Sequence, residues 1–189
     1  MTIRTSSSRF RINDYLEGEL LSEVRHEYIG GELYAMVGAS DRHNLITGNI
    51  FAALHPLVRG TPCQLFMADM KVHLTVAGED AFYYPDVMLA CDPHDRARYY
   101  REHPCLIVEV LSDATERIDR REKLLAYSRI DSLQEYLLLS QIEPLAELHR
   151  RRDDRHAQRI REGSVRIECL DTALDIDSIY EGVPPFEGV

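Results

Sequence analysis

Two carboxylates in this chain stand where carboxylates are costly. Glu109 interrupts the apolar run from Cys105 to Leu111, CLIVEVL, and Asp86 follows a proline inside FYYPDVMLAC, residues Phe82 to Cys91. Both runs have the length and the β-branched or aromatic character of buried strands. A charge inside a strand that is apolar on both faces is strongly unfavourable unless it is paired, hydrogen-bonded or bound to a cation. If the two strands are neighbours, both carboxylates can point to one place. Two hard oxygen ligands at one place are what Mg²⁺ (or Mn²⁺) takes from a protein, with waters and a substrate phosphate completing the shell. The carbonyl of Val110 is a candidate third ligand. Such a metal lowers the pKa of a bound water and polarises a phosphoryl oxygen, and the ammonium of Lys123, on the helical segment that follows, can steady developing charge or position the attacking water.

Each of these residues also has an ordinary account. Asp86 after Pro85 can form a turn, and Glu109 can be the buried partner of Arg120 or Arg121. Asp119, with Glu122 three residues on, can cap a helix. Lys123 can lie on the surface, Tyr127 in the core, and Glu27 and Glu32 can be solvated carboxylates beside a tight hairpin. His43 can cap or pack.

The elements that must position these groups follow from periodicity and punctuation. Residues 1 to 8 read as a frayed tail and Ile12 to Glu23 as a short amphipathic helix. In EYIGGELYAMV the Gly30-Gly31 pair between two apolar runs signals a hairpin. Ser40 is an N-cap for a first long helix, His43 to Val58, which ends near Gly60 and Pro62. Gln64 to Val76 reads as one strand, and the segment around Pro85 as a strand with an irregular backbone. After the Glu109 strand, Ser112, Asp113 and Thr115 form a turn and a helix runs from about Asp119 to Ile130. Glu135 to Ser140 is a further buried strand. Ala146 to Arg150 and Val165 to Leu170 read as an antiparallel pair around an arginine-rich turn, and Leu174 to Tyr180 as a closing helical turn.

At 189 residues, 44% apolar and 29% charged, the chain is expected to form one domain with a core large enough to need no disulfide or structural metal. Its formal charge of −10 argues against broad, non-specific nucleic-acid binding, which rests on a positive surface. Local basic patches remain open at Arg96 to Arg101, which Asp95 and Glu102 flank, and at Arg117 to Lys123 and His149 to Arg161, both interleaved with carboxylates. The cysteines, Cys63, Cys91, Cys105 and Cys169, stand far apart without a C-x-x-C pair, so buried free thiols are expected. The N-terminal stretch has no signal-peptide core, and no apolar run approaches the roughly 20 residues that cross a bilayer. A cytoplasmic protein with no membrane partner is the expectation.

Tyr84-Pro85-Asp86-Val87, Ile107-Val108-Glu109-Val110-Leu111-Ser112, the spacing of Asp119, Lys123 and Tyr127, and Glu135-Tyr136-Leu137-Leu138 together resemble the Uma-type restriction endonucleases, a branch of the PD-(D/E)XK nuclease superfamily. Glu27 to Leu33 is similar to that family's E-L-I-D-G-E-L hairpin, and the likeness spans most of the chain. It implies an α/β fold with a restriction-endonuclease-like core: a mixed sheet with the first long helix on one face and the Lys123 helix on the other, and added β-hairpins. It also implies a divalent-metal site on Asp86 and Glu109. The superfamily's usual lysine position, two residues after the second acid, holds Leu111 here, so the lysine role passes to Lys123. The superfamily's helix acid has no evident counterpart; His43 stands near that place and is a candidate to approach metal or substrate. The leading expectation is a metal-dependent endonuclease acting on DNA as a homodimer. The alternatives are a nuclease fold with a weak or dead site that serves as an interaction module, and a hydrolase of a smaller phosphate ester.

Overall fold

A computed structural model describes residues 9–36, 38–112 and 116–185. The expected tail, residues 1 to 8, and the turn residues Asp113 and Thr115 lie outside the described residues. The chain opens with α1, Ile12–Glu19, which stops four residues short of the segment expected from its periodicity, and the hairpin of β1, His26–Ile29, and β2, Glu32–Ala35. Gly30 (φ +57°) and Gly31 (φ +94°) form its two-residue loop, and glycine, without a Cβ, takes positive φ at no steric cost. Then come α2, Asp41–Val58, β3, Gln64–Met67, β4, Lys71–Val76, β5, Glu79–Tyr83, β6, Val87–Ala90, β7, Tyr100–Arg101, and β8, Pro104–Leu111. A π-helical stretch, Ile118–Lys123, continues into α3, Leu124–Tyr127. The last elements are β9, Glu135–Ser140, β10, Ala146–Arg150, β11, Ala157–Ile160, β12, Ser164–Ile167, β13, Thr172–Asp175, and α4, Ile176–Ile179.

The strands form a mixed six-stranded sheet in the order β11-β10-β9-β8-β6-β3, a five-stranded sheet in the order β2-β1-β5-β4-β7, and the pair β12-β13. Within the larger sheet β8 and β9 are parallel and the other neighbours antiparallel. Its two faces are both apolar. Leu106, Val108 and Val110 pack with Ile46, Ile50 and Leu54 of α2, while Ile107 and Leu111 pack with Ala126 and Tyr127 of α3 and with the five-stranded sheet. Fully burying such a side chain stabilises by roughly 1.5–3 kcal/mol. Alternation along β8 therefore sends Glu109 to the α3 side, between the two sheets.

Three expectations are corrected. Gln64 to Val76 is two strands in different sheets, split at Ala68, whose φ of +57° turns the chain from one sheet to the other. Ala146–Arg150 pairs with Ala157–Ile160, drawn from the arginine-rich stretch itself, and Ser164–Ile167 pairs instead with Thr172–Asp175. The tight turn after Arg150 passes through left-handed Asp154 and Arg155, which returns the chain sooner than the apolar pattern indicated. Arginines of that stretch pair with acids, Arg151 with Asp131, Arg152 with Glu168, Arg159 with Glu147 and Arg161 with Glu143. Finally, Cys63 and Cys91 are joined in a disulfide. Gln64 and Ala90 are register partners of β3 and β6, so the residues flanking them face each other however distant in sequence. Cys105 and Cys169 are free thiols.

The hairpin glycines give a test. A Cβ on Gly31 would lie 2.6 Å from the Arg9 Cβ, on a backbone that L residues rarely adopt. Gly31→Ala should cost about 1 kcal/mol or more in chemical denaturation, and a stability equal to wild type would show that the hairpin is not held in this form.

Candidate active site

Asp86 lies where the chain leaves one sheet for the other. Strand β5 ends at Tyr83 and β6 begins at Val87, with Tyr84-Pro85-Asp86 crossing between them, and Pro85 brings no amide hydrogen to either ladder. Strands β6 and β8 pair antiparallel, which sets Asp86 beside Glu109 and Val110. The Val110 N–H donates to Asp86 Oδ2 at 2.7 Å, and the Asp86 N–H donates to Glu109 Oε2 at 3.4 Å. Each strand's main chain thus holds the carboxylate of the other.

His43 reaches the same point from α2. Ser40 Oγ accepts from the His43 N–H at 3.1 Å, fixing the first turn. From there Nε2 of the ring lies 3.2 Å from Asp86 Oδ2, and the ring also meets the backbone of Val110. Burial opposes a charge on the imidazole, but the Asp86 carboxylate and then Asp119 and the Val110 backbone outweigh it, so its pKa is raised above 6.5.

Lys123 is fully inside. Its Nζ stands 3.2 Å from Glu27, 3.1 Å from Glu109 and 3.1 Å from Asp119, with the Tyr83 ring 5.8 Å away. Asp119 and Lys123 share one face of the π-helical stretch, and the Tyr136 hydroxyl donates to the Asp119 carbonyl at 3.1 Å. The Tyr127 hydroxyl donates to Glu109 Oε1 at 3.0 Å, and the Lys123 ammonium donates to the same oxygen. Burial works against the Lys123 charge, yet Glu109, Glu27 and Asp119 together raise its pKa well above the usual value. Burial also pushes the Glu109 pKa up; Lys123 opposes this, and Asp119, Asp86 and Glu27 add to it. Four carboxylates share one ammonium and one imidazole, and the cluster is short of positive charge.

The structure brings Asp86, Glu109, Val110, His43 and Lys123 to one site. Glu109 does not pair with Arg120, which goes to Glu116 and Glu147. Asp119 is buried at 2% exposure against Lys123 and does not serve as a helix cap. Glu27, whose hairpin place reads as solvated, points inward to Lys123. Its partner in that reading, Glu32, stays exposed and accepts from the Tyr34 hydroxyl. The only sequence signal for Glu27 is that it stands in the strand leading into the Gly-Gly turn. Among the described residues, no group of three or more His, Cys, Asp and Glu side chains is gathered to hold a metal ion.

Residues 12–176 match the model of the Uma2 family, described as "Putative restriction endonuclease". The chain belongs to the Uma2 family. It is 33% identical over 174 residues to "Uncharacterized protein slr1290" of Synechocystis, covering 90% of each chain. It is 34% identical over 145 residues to "Uncharacterized protein sll1609" of the same organism, covering 75% of this chain and 81% of that one. Its fold is similar to a crystal structure of "a putative nuclease belonging to DUF820" from Anabaena variabilis, with a TM-score of 0.70 at 15% identity over 84% of this chain and 91% of that one. This Uma2 chain thus has the mixed α/β fold with helix-flanked sheets expected from its motifs, and among the described residues no helix is long and apolar enough to cross a membrane.

The raised pKa of His43 fixes the sign of a pH effect. Its protonated form is favoured by folding, so its contribution is complete below about 6.5, the unfolded value, and is lost as the pH rises through the higher folded value. Metal-free protein should lose denaturant resistance above pH 6.5, and His43→Gln should flatten that part of the profile. An unchanged slope in the variant would remove His43 as the source.

Proposed function

We propose that this chain is a divalent-metal-dependent endonuclease that hydrolyses DNA phosphodiester bonds. The observation that carries the reading is the convergence of Asp86 and Glu109 from two strands beside the buried Lys123 ammonium. The donor set fits a hard cation: two carboxylates, the Val110 carbonyl on the edge that faces Asp86, and an excess of negative charge around them. Mg²⁺ commonly takes one or two protein carboxylates and completes its shell with water and phosphate, so no third acidic side chain is required. Bound there, the ion supplies an activated water and a polarised phosphoryl oxygen.

The chain's own groups do the rest. Lys123 and the Tyr127 hydroxyl fix Glu109 Oε1, leaving Oε2 turned toward Asp86. Lys123 favours the ionised form of Glu109 against its burial and its neighbouring carboxylates, and adds positive charge behind the place where phosphoryl charge develops. His43, charged beside Asp86, can donate a proton to an oxygen of the reacting phosphate. An acidic chain that must grip a large anionic duplex gains from two copies, which bring two sites to two strands, and we include a closed homodimer in the proposal. Sedimentation that shows monomer alone at micromolar concentration would count against the dimer.

Calorimetric titration with Mn²⁺ should show one site, weakened in Asp86→Asn and in Glu109→Gln; binding unaltered in both variants would place the metal elsewhere. The full chain with Mn²⁺ should nick plasmid DNA, and absence of nicking by metal-loaded wild type would favour a binding module on a nuclease fold. Lys123→Met should slow nicking roughly 100- to 1,000-fold, about 2.7 to 4 kcal/mol. Because Lys123 is buried against three carboxylates, the same change should also lower stability by about 3 kcal/mol. A surface lysine would leave the melting temperature in place. Equal nicking by wild type and variant at a temperature where both are folded would take Lys123 out of the mechanism.

A further inference from the structure

The four cysteines, scattered in sequence, meet at the end of the larger sheet away from Asp86 and Glu109. Cys63 precedes β3, Cys91 follows β6, Cys105 is the second residue of β8, and Cys169 lies in the helical turn Glu168–Leu170 that follows β12. Strands β3, β6 and β8 are neighbours in that order, so Cys63, Cys91 and Cys105 come from three adjacent strands. Cys63 and Cys91 form the disulfide, and the Cys105 Sγ stands 3.9 Å from Cys91 Sγ, close to van der Waals contact. The Cys169 thiol also neighbours Cys105. All four residues are partly exposed.

We propose that this cluster is a thiol–disulfide exchange site in which Cys105 is the attacking thiol and Cys63 the leaving one. The Cys105 thiol gives its proton to solvent and the thiolate attacks Cys91 Sγ. The Cys91–Cys105 bond forms as the Cys63–Cys91 bond breaks, and Cys63 leaves as a thiolate that takes a proton from solvent. One disulfide and one thiol become one disulfide and one thiol, so no outside oxidant or reductant is consumed. Cys63 is suited to leave, since it ends the exposed turn through Thr61 and Pro62. Cys105 is the attacker because its Sγ is the thiol that lies against Cys91 Sγ, whereas Cys169 neighbours Cys105. The exchange moves the cross-link from the β3/β6 pair to the β6/β8 pair, the two strands whose other ends carry Asp86 and Glu109.

The test is disulfide mapping of the full-length folded chain. Wild type is held at pH about 8.5, where an ordinary thiol is half ionised, then acid-quenched, alkylated and digested. Both Cys63–Cys91 and Cys91–Cys105 peptides should appear. Cys105→Ser should show Cys63–Cys91 alone, and Cys169→Ser should keep both. In Cys63→Ser, treated with oxidised glutathione, Cys91–Cys105 should be the main disulfide, which reads the contact without depending on the exchange rate. Wild type with only Cys63–Cys91 after prolonged incubation, together with no Cys91–Cys105 link in folded Cys63→Ser, would overturn the proposal. A Cys91–Cys169 peptide in Cys105→Ser would overturn the assignment of the attacking thiol.

Discussion

The Lys123 ammonium, held among Glu27, Glu109 and Asp119, is the interaction on which the site's arrangement depends. At these separations each attraction is about 5 kcal/mol at an effective dielectric constant of 20, before the cost of taking the charges out of water. That cost is of similar size, so the cluster is a poor source of stability by itself. Its consequence is geometric. Glu27 comes from the first hairpin, Glu109 from the central strand and Asp119 from the π-helical stretch, and a single ammonium must satisfy all three. Loss of the helix that carries Lys123 would leave Glu27 and Glu109 buried without their ammonium, so the one side chain ties the hairpin and the central strand to the helix.

The same cluster explains why the site needs further positive charge. Burial and three neighbouring carboxylates raise the pKa of Glu109 even with Lys123 beside it. His43 supplies part of what is missing, at the Asp86 end. The π-helical winding from Ile118 to Lys123 belongs to this account. Asp119 and Lys123, four residues apart, share its inward face, while Arg120 turns to Glu116 and Glu147.

Much of the site was legible because charge in an apolar strand is a local contradiction, visible without knowing the fold. Glu109 stood out in this way, and the helix after it offered Lys123; Asp86 stood out too, but the expected Phe82 to Cys91 strand is two strands in different sheets and Asp86 lies in the crossing between them. The hairpin at Gly30-Gly31 and the cap at Ser40 were equally local, set by φ values and a single side-chain bond. What escaped depends on pieces meeting across the fold. Glu27 looks solvated until the hairpin is folded against the helix. The Gln64 to Val76 segment keeps its strand character through the break at Ala68, and nothing in its pattern says that the two halves join different sheets. The cysteines are four separate residues until the register of β3, β6 and β8 aligns them.

The location of the site follows from that division into two sheets. The chain crosses from the larger sheet to the smaller one between Met67 and Lys71, and returns between Tyr83 and Val87. The two crossings are tied together, the Ala68 N–H donating to the Asp86 carbonyl at 3.1 Å. A crossing segment leaves both ladders, so its main-chain groups and side chains face the gap between the sheets. Proline is tolerated there because no ladder bond is lost, and the Asp86 carboxylate is tolerated because the Val110 N–H and His43 meet it. Glu109 arrives at the same gap by strand alternation, and Lys123 by the helix that roofs it. The polar site is thus a product of the place where two apolar sheets part, and its residues come from β1, α2, the crossing after β5, β8 and the π-helical stretch.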